Sequence, residues 1–197
     1  MVDLVHGLQP GCLVNGRVGN HVGDYASTRD NVVPAERLGE MDWETPATIN
    51  DTWGYKKDDH NWKPSQELIR RLVDVASKGG NYLPNVGPTA EGVIPDPSVE
   101  RLLAIGRWLE TNGESVYGTR PGPLQGLGWC RTTTRPGRVY LHVFDWPADG
   151  DLRLPGLAAA RARLLADGSP LPIETAGGGR SVHQPSTINH QLPLLRD

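Results

Sequence analysis

Residues 41–55, MDWETPATINDTWGY, set a single glutamate among flat rings. Glu44 directly follows Trp43, and nine residues later comes Trp53-Gly54-Tyr55, in a chain that is only 6% aromatic. A carboxyl packed on an indole is desolvated, and desolvation raises its pKa. A raised carboxyl suits a general acid near neutral pH. Flat aromatic faces are also what the apolar face of a sugar ring stacks on. Upstream, Arg17 ends the run CLVNGR, and its guanidinium can hydrogen-bond a hydroxyl or orient a carboxylate. These residue types together suggest carbohydrate chemistry. On residue chemistry alone, a surface glutamate on an apolar turn beside core tryptophans remains the competing reading.

The elements that must position these groups are read from periodicity. Residues 2–8 look like the tail of a helix that ends at Gln9-Pro10-Gly11. Residues 12–17 read as a buried strand carrying Asn15 and Arg17 at its C-terminal end. Residues 18–42 form a long loop rich in Gly, Asp and Asn, and a loop of that length in a compact domain is usually functional or disordered. Residues 65–80 give the clearest helix, with Ser65 as N-cap. Its apolar stripe is Leu68, Ile69, Leu72, Val73, Val75 and Ala76, and Gly79-Gly80 stops it. NYLPNVGP reads as a buried strand running into a turn. Residues 96–113 form a second helix, with Pro97 in its first turn. Leu102, Leu103, Ile105, Gly106, Trp108 and Leu109 make its packing face, and Gly113 ends it. Strand, loop, helix, strand, helix is the order of an α/β fold with a parallel sheet. Beyond residue 118 the pattern turns to short β-type runs, with a hairpin signal at Arg135-Pro136-Gly137-Arg138. A domain boundary is expected near residues 119–122, with an all-β module after it. Residues 181–197 follow neither period.

Composition bounds the function. The 197 residues allow one good core, or one and a half small ones. The chain is 37% hydrophobic and 22% charged, with a net charge of −3 and no basic cluster, so no nucleic-acid footprint is expected. There is no run of 18 apolar residues and hence no membrane-span signal. The N-terminus lacks a secretory pattern, which reads as cytoplasmic for the chain as written and leaves a secreted parent protein open. Cys12 and Cys130 have no metal or disulfide spacing, and the six histidines lack H-x-H and H-E-x-x-H patterns, so no metal site is expected.

Several longer words carry a resemblance. LVNGRVGNHVGDY, WETPATINDTWGY, NWKPSQELIRRLVDVASKGGNYLPNVGPTAEGVIP and IGRWLETNGESVYGT occur in the order found in the later half of α-L-fucosidases of glycoside hydrolase family 29. The resemblance runs from about residue 8 to residue 119. It implies the C-terminal portion of a (β/α)8 barrel over residues 1–119 and an incomplete antiparallel β-sandwich over 120–197. It further implies retaining hydrolysis of terminal α-L-fucose on a fucosylated glycan, with no cofactor. In that mechanism one carboxylate attacks the anomeric carbon, and a second carboxyl protonates the leaving oxygen and later activates water.

Within the resemblance, Arg17 takes the place of a fucose-contacting arginine, and Trp43 and Trp53 take aromatic places near the sugar. One branch of the family has its acid/base Glu a few residues beyond Gly-Asp-Tyr, where this chain reads Ser27-Thr28-Arg29-Asp30. Glu44 is therefore the first acid/base candidate and Asp30 the second, with Asp24 and Asp42 expected to be structural. Asn81, Asn85, Gly87 and Pro88 are expected to shape a strand end and turn. Trp62 and Trp108 are expected to pack, and Lys78 to sit at a helix C-terminus, where a cation is favoured. The family's nucleophile is an Asp in a Trp-x-Asp context on an earlier strand, and residues 1–14 contain no such word. The expectation is a fragment that is inactive alone. Open alternatives are a non-catalytic carbohydrate-binding or interaction protein, and one half of a split enzyme completed by a complementary N-terminal half or by a homo-oligomer. Pro84 falls where the family has an aliphatic residue, and residues 186–197 do not resemble the sandwich's closing strands. Both are expected marks of damage or truncation.

Overall fold

The computed structural model describes residues 1–19, 22–176 and 179–183. Two compact units divide at Ile105 and Gly106. In the first, helix α1 (Val2–Leu8) leads to a short 3-10 turn over Gly16–Val18. Strands β1 (Ala26–Ser27) and β2 (Trp43–Thr48), helix α2 (Ser65–Ser77) and strand β3 (Asn81–Asn85) follow. Helix α3 (Asp96–Asn112) spans the division between the units. β1, β2 and β3 lie in chain order in one parallel sheet, with Ser27 opposite Glu44 and Glu44 opposite Asn81. α2 is the crossover from β2 to β3, the βαβ unit that parallel pairing requires.

β2 is the centre of the first core, with five of its six residues buried. No strand is expected over these residues from sequence. Pro46 is accommodated: it lies opposite Leu83, and its carbonyl accepts from the Asn31 N–H at 2.9 Å. α2 covers this sheet with Leu68, Ile69, Val73 and Val75 buried as the stripe predicts. Ser65 is its first helical residue and not its cap, since Pro64 holds the N-cap place and no side chain caps the helix. Gly80 has a steric reason. A Cβ there would stand 2.4 Å from the Trp43 indole.

The strand expected over residues 12–17 is reduced to a single parallel bridge between Asn15 and Tyr25. The Arg17 N–H donates to Asn15 Oδ1 at 2.7 Å, and this local bond turns the chain out of extended form. Val14 is buried but Leu13 is 74% exposed. Pro84, in β3, lies opposite Ala47. β3 is an edge strand among the described residues, where a residue without an N–H is tolerated. Leu103, expected on the α3 packing face, is exposed, while Ala104 and Ile105 are buried.

The second unit is built of short antiparallel strands. β4 (Arg120–Pro121), β5 (Cys130–Arg135) and β6 (Arg138–Val143) form one sheet. The expected hairpin joins β5 to β6 through Pro136 and Gly137, with Gly137 at φ 74°. β7 (Asp151–Pro155), a small pair β8 (Ala162–Arg163) and β9 (Pro170–Leu171), and β10 (Ile173–Ala176) and β11 (Gly179–His183) complete it. β11 lies between β10 and β7. Leu152, Leu154 and Val182 make the core here, with Trp129, Leu141 and Trp146 packed against it. The expectation about residues 186–197 lies outside the described residues.

His142 on β6 gives this unit an acid-sensitive point. Its Nε2 lies 3.1 Å from Thr133 Oγ1, and its ring stands 6.5 Å, centroid to centroid, from Trp108. Burial pushes its pKa down to about 4, while the Ser115 backbone works weakly the other way. A histidine whose folded pKa lies below its unfolded value stabilises the fold above the unfolded pKa. That contribution is lost as pH falls from about 6.5 through about 4. Urea unfolding followed against pH should therefore lose about 3 kcal/mol across this window. In His142→Gln most of that loss should vanish. A His142→Gln profile as steep as that of the unmutated chain would show that other groups cause it.

Candidate active site

In parallel α/β sheets, ligands bind beyond the C-terminal ends of the strands. β1 ends at Ser27 and is followed by Thr28, Arg29 and Asp30. Arg17 reaches this end from its 3-10 turn. Its Nε donates to Ser27 Oγ at 3.0 Å and its Nη2 to Thr28 O at 3.1 Å. Nη2 also forms an ion pair with Asp30 Oδ1. Both side chains are about half exposed, 53% for Arg17 and 47% for Asp30. Oδ1 is the oxygen of the Asp30 carboxylate that Arg17 anchors.

Glu44 belongs to the same cluster but at the opposite end of its strand. It is the second residue of β2, and its Oε1 accepts from Asn15 Nδ2 at 2.7 Å. Asn15 thus links Glu44 to the turn that presents Arg17. The end of β2 lies four residues further on, about 13 Å along the strand. The packing expected between Glu44 and the Trp43 indole is not found. Successive strand residues face opposite sides, and the Trp43 ring is turned onto Gly80. Trp43 is 1% exposed, so its expected contact with a sugar is corrected: it is a core residue.

Trp53 stands differently. It is 39% exposed, on the loop that follows β2. Its carbonyl accepts from Asn85 Nδ2 at 2.6 Å, at the end of β3. A Cβ on Gly87 would lie 2.6 Å from the Gly54 carbonyl carbon, so the turn after β3 packs closely on the Trp53-Gly54-Tyr55 backbone. Asn85 and Gly87, read from sequence as turn-shaping, shape this loop as well. Asn81 donates to Trp43 O at 3.2 Å. Asp24 accepts from the Val14 N–H at 2.6 Å and pairs with His6 at 3.0 Å, as a structural residue would. The Val14 bond, opposed by desolvation and helped by His6, holds its carboxyl below the usual range. Lys78 pairs with Asp74 at 2.9 Å at the C-terminal end of α2.

Asp59 was not singled out from the sequence. It is buried behind the Trp53 loop and accepts from Asn50, Asp51, Thr52 and Asn61. The legible signal was Asp59-His60-Asn61, in which an aspartate can bind the N–H two residues on. Among the described residues no group of three His, Cys, Asp or Glu could hold a metal ion. No described helix is long and apolar enough to cross a membrane.

The family model described as Alpha-L-fucosidase matches residues 1–114. The chain belongs to the α-L-fucosidases of glycoside hydrolase family 29. It is 36% identical over 199 residues to an α-L-fucosidase of Dictyostelium discoideum, covering 92% of this chain and 43% of the relative. It is also 36% identical to the tissue α-L-fucosidase of Mus musculus, over 72% of this chain and 33% of that enzyme. The chain thus spans less than half the length of these curated relatives. Among solved structures, α-L-fucosidase isoenzyme 1 from Paenibacillus thiaminolyticus superposes with a TM-score of 0.88 at 34% identity, covering 98% of this chain and 50% of that one. A Bacteroides thetaiotaomicron α-L-fucosidase of family 29, described as a trapped covalent intermediate, superposes at 0.85 and 27% identity, over 94% and 48%.

Proposed function

We propose that this fucosidase chain supplies the later part of a fucose site in a retaining α-L-fucosidase acting on terminal α-L-fucose of glycoconjugates. Arg17 would hold a sugar hydroxyl, Asp30 would act as acid/base, and Trp53 would offer the ring on which the sugar lies. The observation that carries this reading is the Arg17–Asp30 pair at the C-terminal end of β1. On the same reading, β1 to β3 with α2 and α3 are consecutive units of a (β/α)8 barrel within residues 1–119. The short strands after residue 120 are its C-terminal β-sandwich. The parallel order with a helical crossover supports the first assignment, and the antiparallel sheets support the second. The nucleophile would come from strands outside these 197 residues. The exposed Leu4, Leu8, Leu13 and Leu83 side chains support a companion half that covers them.

The chain alone is expected not to hydrolyse an aryl α-L-fucoside above the buffer rate. Without the nucleophile no glycosyl-enzyme forms, and without the rest of the site no fucoside is held against the acid. Mixing it with the N-terminal barrel half of a similar fucosidase should restore turnover, with the first-formed fucose released in the α configuration. Turnover by the chain alone, or release of β-fucose by the mixture, would overturn this reading.

A further inference from the structure

The loop that carries Trp53 is held by a carboxylate that touches no expected substrate position. Asp59 is 8% exposed, and its carboxylate accepts hydrogen bonds from the loop's own residues. Its Oδ2 accepts from Asn50 Nδ2 at 2.8 Å, from the Asp51 N–H at 3.1 Å and from Thr52 Oγ1 at 3.1 Å. Its Oδ1 accepts from the Asn61 N–H at 3.0 Å. The Thr52 hydroxyl also reaches Gly54 O at 2.9 Å, so its single proton serves one acceptor at a time. Lys63 closes the base of the loop, donating from Nζ to Thr48 O at 2.9 Å, Thr48 Oγ1 at 3.1 Å and Asn50 O at 2.7 Å.

We propose that Asp59 is a positioning residue that fixes the Trp53 ring as a platform for a sugar, acting through the backbone and side chains of residues 50–52. The proposal rests on the fucose reading for the platform's purpose, and on geometry for the clasp itself. All four groups facing Asp59 are donors. An ionised carboxylate is acceptor-only and satisfies all of them, whereas a carboxamide must turn an NH₂ toward at least one. Desolvation would raise the Asp59 pKa, but the donors outweigh it and hold the group ionised, below the usual range. From the far side Asn85 holds Trp53 O and Gly87 abuts Gly54. Asp59 is therefore what fixes the near side of a loop already pinned on the other.

The test uses the full 197-residue chain with Asp59→Asn and Asp59→Glu. In Asp59→Asn, amide hydrogen exchange at Asp51, at Asn61 and across residues 53–55 should rise about tenfold or more while α2 is unchanged. The Trp53 indole N–H resonance, assigned by its loss in Trp53→Phe, should shift or split, and Asp59→Glu should restore part of both effects. Unchanged exchange at 51–55 would sink the proposal. So would an equal rise in α2, which would make Asp59 a general stability residue. L-fucose titrated into the unmutated chain tests the fucose reading separately. Absence of binding there counts against that reading, while the exchange pattern decides the clasp on its own.

Discussion

Asp30→Asn is expected to lower kcat on a fucoside with a poor leaving group by about 10²–10⁴-fold when the chain is combined with the N-terminal half of a related fucosidase. Glu44→Gln is expected to cost less than about tenfold in the same assay. Asp30 stands just past the C-terminal end of β1, half exposed and with one oxygen on Arg17. Glu44 stands at the beginning of β2, and the Asn15 amide occupies its Oε1. A carboxylate so placed can orient Asn15, and through it the turn that presents Arg17, and a glutamine can keep part of that bond. A general acid has a further signature. A leaving group that needs little protonation should hide most of the Asp30→Asn defect, and azide should rescue it by attacking the glycosyl intermediate without base help. If Glu44→Gln carries the leaving-group dependence and the azide rescue while Asp30→Asn is nearly silent, the assignment is reversed.

The two carboxylates show what the sequence made legible and what it hid. The helices were plain, because a stripe such as Leu68, Ile69, Val73 and Val75 has only one periodic reading, and the Arg135–Arg138 hairpin was plain too. β3 was found as a strand, but none of its residues is buried, against expectation. β2 was hidden because what supports it around Pro46, Asn31 and Leu83, is distant in sequence. With no strand assigned there, adjacent Trp43 and Glu44 suggested a carboxyl packed on an indole. As strand residues they face opposite sides, and the desolvated-carboxyl argument for Glu44 loses its indole. Residue chemistry singled out Arg17 and Trp53, and the resemblance gave them places beside a sugar. The expectation there put Glu44 before Asp30, and the reverse order proposed above rests on strand direction, which the sequence did not display. Asp59 was hidden for a similar reason. Its donors are ordinary loop residues, and only the fold shows that they converge.

Trp43→Ala is expected to destabilise the chain by about 3–5 kcal/mol, the usual cost of removing a fully buried large aromatic. Trp43 is 1% exposed, and its ring fills the space that Gly80 leaves beneath the C-terminal turn of α2. Gly80→Ala should destabilise from the other side, by about 1–3 kcal/mol, because its new Cβ would overlap the indole. Combined, the two changes should cost less than their sum, since alanine at 80 can enter the space that the indole vacates. Trp53→Ala should behave in the opposite way. Its ring is 39% exposed, so stability should fall by no more than about 1 kcal/mol while affinity for L-fucose is lost. Urea unfolding and fucose titration on the same three variants separate the two tryptophans. If Trp43→Ala stays as stable as the unmutated chain and loses fucose, Trp43 is a platform residue after all, and the strand alternation assigned to β2 is wrong. The cross-check is the double variant: strict additivity of Trp43→Ala and Gly80→Ala would mean that the two residues do not touch, and that the indole is packed elsewhere.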